Sequence, residues 1–357
     1  MDDALLFMTQ SLTIAEFLTA SGSLLDVRSP GEYQQGHIPG AISFPLFTDA
    51  ERAQVGICYK QQGRDQAVEL GFAIAGPKFV DFIVKAKAIA PERRVRVHCW
   101  RGGMRSSAVA WVLEMAGFQV TTLTGGYKAF RRWVREVCAI PRPIITLGGM
   151  TGTGKTVMLH ALAQQGEQVL DLEAIAHHRG SSFGALGLPP QPSNEQFENL
   201  VAMHWANFQG DRPVWIEAES RRIGLCRVPQ ELFQHMMAAP VLEIVRSRQE
   251  RLQHLVEEYG QFSTDDLVLA TQRIHKRLGG VRTQTAIALL QERRLMEAFD
   301  IILAYYDKTY RYDLERRQVA VMPVDLQGCS HPEGTTRLLT AAQTLTATRT
   351  APLPLAP

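Results

Sequence analysis

Along the first third of the chain, short apolar runs alternate with stretches of helical period, the pattern of a parallel sheet covered by helices. SLLDV (23–27), VRVHC (95–99) and QVTTL (119–123) predict strands. Between the last two, Ser106 to Gly117 predicts a helix stopped by glycine, with Ala108, Val109, Val112, Leu113 and Ala116 apolar at helical spacing. A basic helix is predicted from Tyr127 to Val137, and Pro141 and Pro143 then form a stiff break. A second series opens at once with IITLGG, a glycine-rich turn and a helix from Lys155 to about Gln165. Strands QVLDL (168–172), PVWIEA (213–218) and VLEIV (241–245) follow. From 246 to 318 the pattern is long and helical, with Leu252, Leu255, Val256 and Tyr259 on one face. The expected organisation is an α/β chain of two domains, 12–137 and 144–325, the second carrying the region 246–318 as a helical appendage. The unpatterned stretch 346–357 predicts a disordered tail.

Composition acts mainly by exclusion. Lys and Arg number 38 against 36 Asp and Glu, a net charge of +2, so bulk charge does not grip nucleic acid and any RNA contact rests on local patches. Three patches stand out: Arg93, Arg94, Arg96, Arg101 and Arg105; Lys128, Arg131, Arg132 and Arg135; Arg273, Lys276, Arg277 and Arg282. No apolar run reaches the roughly 18 residues of a membrane span. The start, MDDALLFMTQSLT, is acidic where a secretory signal is basic, so the expected location is the cytoplasm. Cys58, Cys99, Cys138, Cys226 and Cys329 are scattered without a CxxC pair, which indicates neither a disulfide framework nor a zinc site.

Chemistry concentrates in two places. Cys99 ends a strand and is followed by WRGGMRSS and a helix. A sulfur there faces backbone N–H groups and the positive end of the helix dipole, which lowers a thiol pKa and holds an anion. Gly102 and Gly103 let the loop curl, and Arg101 and Arg105 add positive charge near the sulfur. Trp100, Met104 and Ser106 complete the candidate loop, Trp100 either stacking a base or shielding the sulfur. The other cysteines are expected to be inert, buried thiols.

The second place is GMTGTGKT (149–156), which fits G-x-x-x-x-G-K-[ST] between a strand and a helix. Gly149, Thr151, Gly152, Thr153 and Gly154 offer backbone N–H groups to a di- or triphosphate, Lys155 neutralises a terminal phosphate, and Thr156 ligates magnesium. Glu217 and Glu219 lie on one side of an extended chain, and Asp171 and Glu173 end another strand. These four are candidates for metal or substrate contact, the alternative for Asp171 and Glu173 being solvated turn carboxylates. HHRGSSFG (177–184) offers Arg179, Ser181 and Ser182, and ESRRIG (219–224) offers Arg221 and Arg222, to phosphate or RNA. Arg273, Lys276 and Arg277 meet either an RNA backbone or solvent.

LLDVRSPGEYQQGHIPGAISFP (24–45), together with CWRGGMRS, resembles rhodanese domains over about residues 12–136. This resemblance implies a rhodanese-like fold, with Cys99 at the position of the catalytic, persulfide-bearing cysteine and Asp26, Arg28, Glu32 and His37 as structural braces. Many single-domain rhodaneses place an arginine five positions after that cysteine; Arg105 is six after Cys99. The longer loop also resembles that of the dual-specificity phosphatases built on this fold.

With GGMTGTGKT, HRGSSFG and ESRRIG following in this order, the chain resembles the tRNA 2-selenouridine synthases from about 12 to 320. That family joins a rhodanese-like domain to a P-loop NTPase-like α/β domain. The resemblance implies a transferase that geranylates the sulfur of wobble 2-thiouridine in tRNA with geranyl diphosphate. The S-geranyl group is then replaced by selenium from selenophosphate. Cys99 would carry selenium as an S-selanylcysteine, and the P-loop would hold diphosphate, with Mg2+ and without a need for ATP. The implied partners are thiolated tRNA and an enzyme that supplies selenophosphate, with no membrane and a monomeric chain. Three other readings stay open: a sulfurtransferase fused to an ATP-dependent kinase, a rhodanese-fold phosphatase, and a tRNA-binding regulator with a nucleotide switch.

Overall fold

Five strands, β1 (Gln10–Leu12), β2 (Ser23–Asp26), β3 (Ile42–Ser43), β4 (Arg94–His98) and β5 (Gln119–Leu123), pair in parallel in the order β1-β5-β4-β2-β3. They belong to a computed structural model that describes residues 9–315 and 317–350. The helices of this unit are α1 (Ile14–Thr19), α2 (Pro30–Gln35), α3 (Asp49–Gln62), α4 (Arg64–Ala75), α5 (Phe79–Ile89), α6 (Met104–Met115) and α7 (Gly126–Cys138). Leu25, Val95 and Val97 from the central strands, with Val27 just past the end of β2, meet Val109 and Leu113 of α6 and Phe82 of α5 in its core. β2, β4, β5, α6 and α7 fall where the apolar spacing predicts them. The stretch between β3 and β4 adds α3, α4 and α5. A capping box formed by Thr48 and Glu51 starts α3, and Gly63, at φ +98°, separates it from α4.

The chain divides after Val137. In the second unit, β6 (Ile144–Gly149), β7 (Gln168–Leu170) and β8 (Val214–Glu217) come first, then a short hairpin of β9 (Arg222–Ile223) and β10 (Cys226–Arg227), then β11 (Val241–Val245) and β12 (Val321–Asp325). Its parallel sheet runs β12-β11-β6-β8-β7, with every residue of the central β6 buried. The phosphate-loop motif thus leaves the C-terminal end of a central strand, where open α/β sheets place ligands. α8 (Lys155–Gln164), α9 (Leu172–Ala176), α10 (Asn194–Asn207) and α11 (Gln230–Ala238) flank the strands. The helical region comprises α12 (Arg248–Tyr259), α13 (Thr264–Arg273), α14 (His275–Leu278), α15 (Gly280–Gln291) and α16 (Leu295–Glu315), around a core of its own that includes Leu252, Leu255, Tyr259, Leu290 and Phe299. Among the described residues no helix is long and apolar enough to cross a membrane.

Two expectations are corrected. The strand expected over 168–172 stops at Leu170, because the Asp171 carboxylate accepts the Ala174 N–H at 2.8 Å and caps α9. The second unit also runs past 325 into α17 (His331–Thr350), so residues 346–350 of the expected tail are helical, while 351–357 lie outside the described residues. Leu338, Ala342 and Leu345 recur at helical spacing and share a core with Met158, Leu159 and Leu162 of α8. The hydroxyls of Thr335, Thr336, Thr340 and Thr344 bond back to carbonyls one turn earlier, which satisfies them on a helix of modest propensity.

This packing makes α17 part of the second unit's stability. Leu338→Ala should cost roughly 2–5 kcal/mol, the range for emptying a buried leucine site, whereas Thr336→Ala on the exposed side should cost almost nothing. Urea unfolding followed by fluorescence of the buried Trp205 and Trp215 reports on this unit. Equal midpoints for the two variants would show that α17 is not docked.

Candidate functional site

Cys99 follows β4 directly, and only 3% of the residue is exposed. Its Sγ accepts the Gly103 N–H at 3.3 Å and lies 3.2 Å from the Ser106 hydroxyl. Burial alone would raise this thiol. Hydrogen bonds from the Ser106 hydroxyl and from the N–H groups of Ser106, Gly103 and Arg101 outweigh it and hold Cys99 below the ordinary cysteine range. Gly102 sits at φ +66°, and a Cβ there would run into the Leu123 carbonyl oxygen. The loop rests on the turn that opens α7: the Tyr127 N–H donates to the Cys99 carbonyl at 2.8 Å, and the Lys128 N–H donates to that of Trp100 at 2.9 Å. Gly126, at φ +58°, permits the approach, since a Cβ there would overlap the Cys99 carbonyl. Sequence reasoning missed this turn, although the paired glycines after a predicted strand were a signal for it.

A buried brace lies against the loop. Arg28 is fully buried, donates to Asp26 at 2.6 Å, and sets its guanidinium 3.7 Å from the centre of the Tyr127 ring and 5.9 Å from that of Trp100. Burial lowers the neighbouring His98 to about 4, so it is neutral at physiological pH. Arg105, expected to serve the sulfur, pairs with Glu32 at 2.6 Å, and Arg52 reaches the same carboxylate at 3.2 Å. A cavity of about 1070 Å3 opens beside the loop, lined by Cys99, Trp100, Met104 and Trp111 on one side and by Ile57, Val68 and Phe72 of α3 and α4 on another. A pocket for a small anion alone would not need such apolar walls.

In the second unit the phosphate loop is clamped from the helical region. Arg251 donates from Nε to the Thr151 carbonyl at 2.9 Å while pairing with Asp307, and Arg246 donates to the Thr153 carbonyl at 3.2 Å. The Tyr310 hydroxyl accepts the Gly149 N–H at 2.7 Å. Gly152 and Gly154 take φ of +82° and +79°. The N–H groups expected from Gly149 and Thr153 are taken by the Tyr310 hydroxyl and the Met150 carbonyl, so of the five expected donors Thr151, Gly152 and Gly154 are the ones left to offer N–H groups to an anion. The Lys155 ammonium donates to the Gly149 carbonyl at 3.0 Å. The Thr156 hydroxyl donates to Glu217 at 2.7 Å and lies 3.4 Å from Glu173.

Glu173, Glu217 and Glu219 converge, with one oxygen from each within 4.8 Å of the others. Burial raises all three, and for Glu173 the charges of Glu217 and Glu219 add to the effect. Three crowded carboxylates and a hydroxyl are hard oxygen donors, a set that fits a divalent cation such as Mg2+. Asp171 does not join them; it caps α9 and contacts His160 at 2.8 Å.

Residues 142–328 match the family described as tRNA 2-selenouridine synthase AAA domain, and residues 13–132 match the rhodanese-like domain. Relatives named tRNA 2-selenouridine synthase align over most of the chain. The one from Bordetella bronchiseptica is 36% identical over 345 residues, covering 84% of this chain and 90% of its own. Those from Hydrogenovibrio crunogenus and Sulfurovum sp. are 37% and 32% identical, covering 84% and 88% of this chain and 91% and 95% of theirs. The chain belongs to the tRNA 2-selenouridine synthase family.

Several residues expected to meet phosphate or tRNA in this synthase-family chain are engaged internally. Arg179 pairs with Glu258 at 2.9 Å and donates to the Leu186 carbonyl at 2.8 Å. Ser181 accepts the Phe183 N–H at 3.1 Å, and the Ser182 and Tyr306 hydroxyls lie 2.8 Å apart. Arg222 bonds to the Gly224 carbonyl at 2.8 Å, Arg273 to that of Ser182 at 3.4 Å and Arg277 to the Tyr305 hydroxyl at 3.2 Å. Arg221 and Lys276 are exposed.

The three glutamates make stability depend on pH. A carboxyl whose folded pKa is raised binds its proton more tightly folded than unfolded, so stability is full at low pH and declines as pH rises through the raised values. In chelator the melting temperature should therefore fall as pH rises from about 5, through about 7 for Glu217 and on towards about 10 for Glu173, and Glu219→Gln or added magnesium should flatten the decline. Identical curves for wild type and Glu219→Gln would remove uncompensated charge as the cause.

Proposed function

We propose that this chain converts wobble 2-thiouridine in tRNA to 2-selenouridine in two steps: S-geranylation from geranyl diphosphate, then replacement of the S-geranyl group by selenium from selenophosphate. The observation that carries this reading is one wall with two properties. Cys99 and Trp100 belong both to a loop that favours an anion and to a large apolar cavity. A sulfurtransferase or a phosphatase needs only the first property at its cysteine. Transfer through an S-geranyl nucleoside needs both, because an isoprenoid chain must be housed beside the reacting centre.

In the first step the thiouridine sulfur attacks the allylic carbon of geranyl diphosphate, the carbon–oxygen bond breaks, and diphosphate leaves with the electron pair. The phosphate loop and Lys155 stabilise the charge that develops there. A cation held by Thr156, Glu173, Glu217 and Glu219 would add to that stabilisation when bound.

In the second step the geranyl group occupies the cavity, and the Cys99 thiolate attacks C2 of the base and expels geranylthiol. Selenium of selenophosphate then displaces Cys99, and water cleaves the phosphorus–selenium bond to release phosphate. Selenium enters at the selenide level, so this sequence balances without an oxidant. An S-selanyl adduct on Cys99, the analogue of a rhodanese persulfide, would need one, which makes Cys99 the nucleophile rather than the selenium carrier.

Nucleoside mass spectrometry of thiolated tRNA incubated with each donor tests the scheme. Cys99→Ser should accumulate S-geranyl tRNA and form no 2-selenouridine. Lys155→Ala should slow geranylation by roughly 10²-fold, the order lost with one stabilising donor, yet still convert tRNA supplied already S-geranylated. A Lys155→Ala enzyme that geranylates normally, or a Cys99→Ser enzyme that loses both steps, would overturn this division. Ala108→Trp, on the cavity wall, should slow conversion of S-geranyl tRNA while leaving the rate of Cys99 alkylation by a small reagent unchanged; normal conversion would place the geranyl group elsewhere.

A further inference from the structure

Most arginines of the first unit answer to internal acceptors. Arg28 pairs with Asp26, Arg52 and Arg105 pair with Glu32, Arg93 donates to the Ala116 carbonyl, Arg94 to Gln119 and Arg96 to the carbonyls of Gly22 and Phe17. The basic cluster that the sequence shows from Arg93 to Arg105 is therefore mostly consumed within the fold, and among the described residues Arg101 alone of its members stays exposed without such a partner.

Of the arginines left over, Arg132 and Arg135 stand on α7 beside Lys128, while the exposed Lys60, Lys85 and Lys87 lie apart from them on α3 and α5. Tyr127, Phe130, Val134 and Val137 bury one face of this helix. Lys128, Arg132 and Arg135 are exposed at i, i+4 and i+7 on the other. Among the described residues none of these three side chains has a hydrogen-bond or ion-pair partner. This row starts at the reactive loop, since the Lys128 N–H is bonded to the Trp100 carbonyl. It extends on the order of 10 Å from Lys128 to Arg135 at about 1.5 Å per residue, a length over which a nucleic acid presents several phosphates.

We propose that the exposed face of α7, with Arg101, is the track on which the tRNA backbone docks, positioning the modified nucleotide at the Cys99 loop. The inference rests on the reading of tRNA as substrate and adds where that substrate is held. Contacts of this kind orient a nucleic acid without reading its sequence. They also release counterions, which gives the binding constant a steep salt dependence despite a net charge of only +2.

The test uses the full chain carrying Lys128→Ala, Arg132→Ala and Arg135→Ala together, with filter binding of tRNA over a salt series. Affinity should fall by roughly tenfold or more, and the slope of log K against log salt should become shallower by about 2, since each lost phosphate contact removes about 0.7–0.9. Cys99 alkylation and the melting temperature should stay at wild-type values. Raising the tRNA concentration should restore the rate of product formation, a change in KM rather than kcat. Arg132→Lys with Arg135→Lys, which keeps the charge, should keep the slope. If the triple variant melts early, Arg132→Glu alone should reproduce the loss of affinity.

Unchanged affinity and slope in these variants would overturn the proposal, as would loss of the slope through Arg273→Ala, Lys276→Ala and Arg277→Ala instead. Failure of the wild-type chain to form 2-selenouridine would count against the proposed activity, not against the track, which the binding data decide by themselves.

Discussion

The Cys99 carbonyl accepts the Tyr127 N–H across a gap so narrow that position 126 has no room for a Cβ. That contact joins the end of β4 to the start of α7, and the chemistry of the first unit depends on it. It holds the following residues in a curl, so the N–H groups of Arg101, Gly103 and Ser106 converge on the sulfur and lower a thiol that burial alone would raise. The ring of the same Tyr127 lies against the Arg28 guanidinium, whose charge the Asp26 carboxylate balances in a fully buried pair. Removing one member of such a pair costs about 3–5 kcal/mol, because the other is left charged without water. Loop geometry and fold stability are thereby tied to the same residues.

The second unit builds its anion cradle differently. Its glycines give the phosphate loop its curvature, yet the carbonyl side is held by Arg246 and Arg251, and the first N–H of the motif goes to the Tyr310 hydroxyl. All three residues belong to the segment that follows β11. The helical region is thus structurally coupled to the loop it follows by about a hundred residues in sequence. Beside the loop, Glu173, Glu217 and Glu219 crowd together near the Thr156 hydroxyl, and burial with the charges of its neighbours raises the Glu173 carboxyl.

The two units show how the same residue type acquires different work. Arg28, Arg96 and Arg251 hold the fold together from buried or half-buried positions. Lys128, Arg132 and Arg135 keep their charge for a partner because α7 turns its apolar stripe inward and leaves them in water. Charge density along the chain is therefore a poor guide to a binding surface; the acceptors each cation meets after folding decide it.

Local pattern was enough for the strands around Cys99, for the phosphate loop and for the helices that follow both, because periodicity, glycine spacing and helix starts act within a few residues. The same pattern joined to the DVRSPGEY and GHIPGA segments marked the family. Other features depend on residues distant in sequence. The apolar cavity needs residues of α3 and α4 to face α6, and a capping box that starts α3 says nothing about which distant helix it will meet. Three of four candidate carboxylates converge, while Asp171 is drawn off by one backbone N–H of the helix it caps. α17 is helical because Leu338, Ala342 and Leu345 find α8, a contact made nearly two hundred residues apart, which neighbouring residues in the sequence cannot specify.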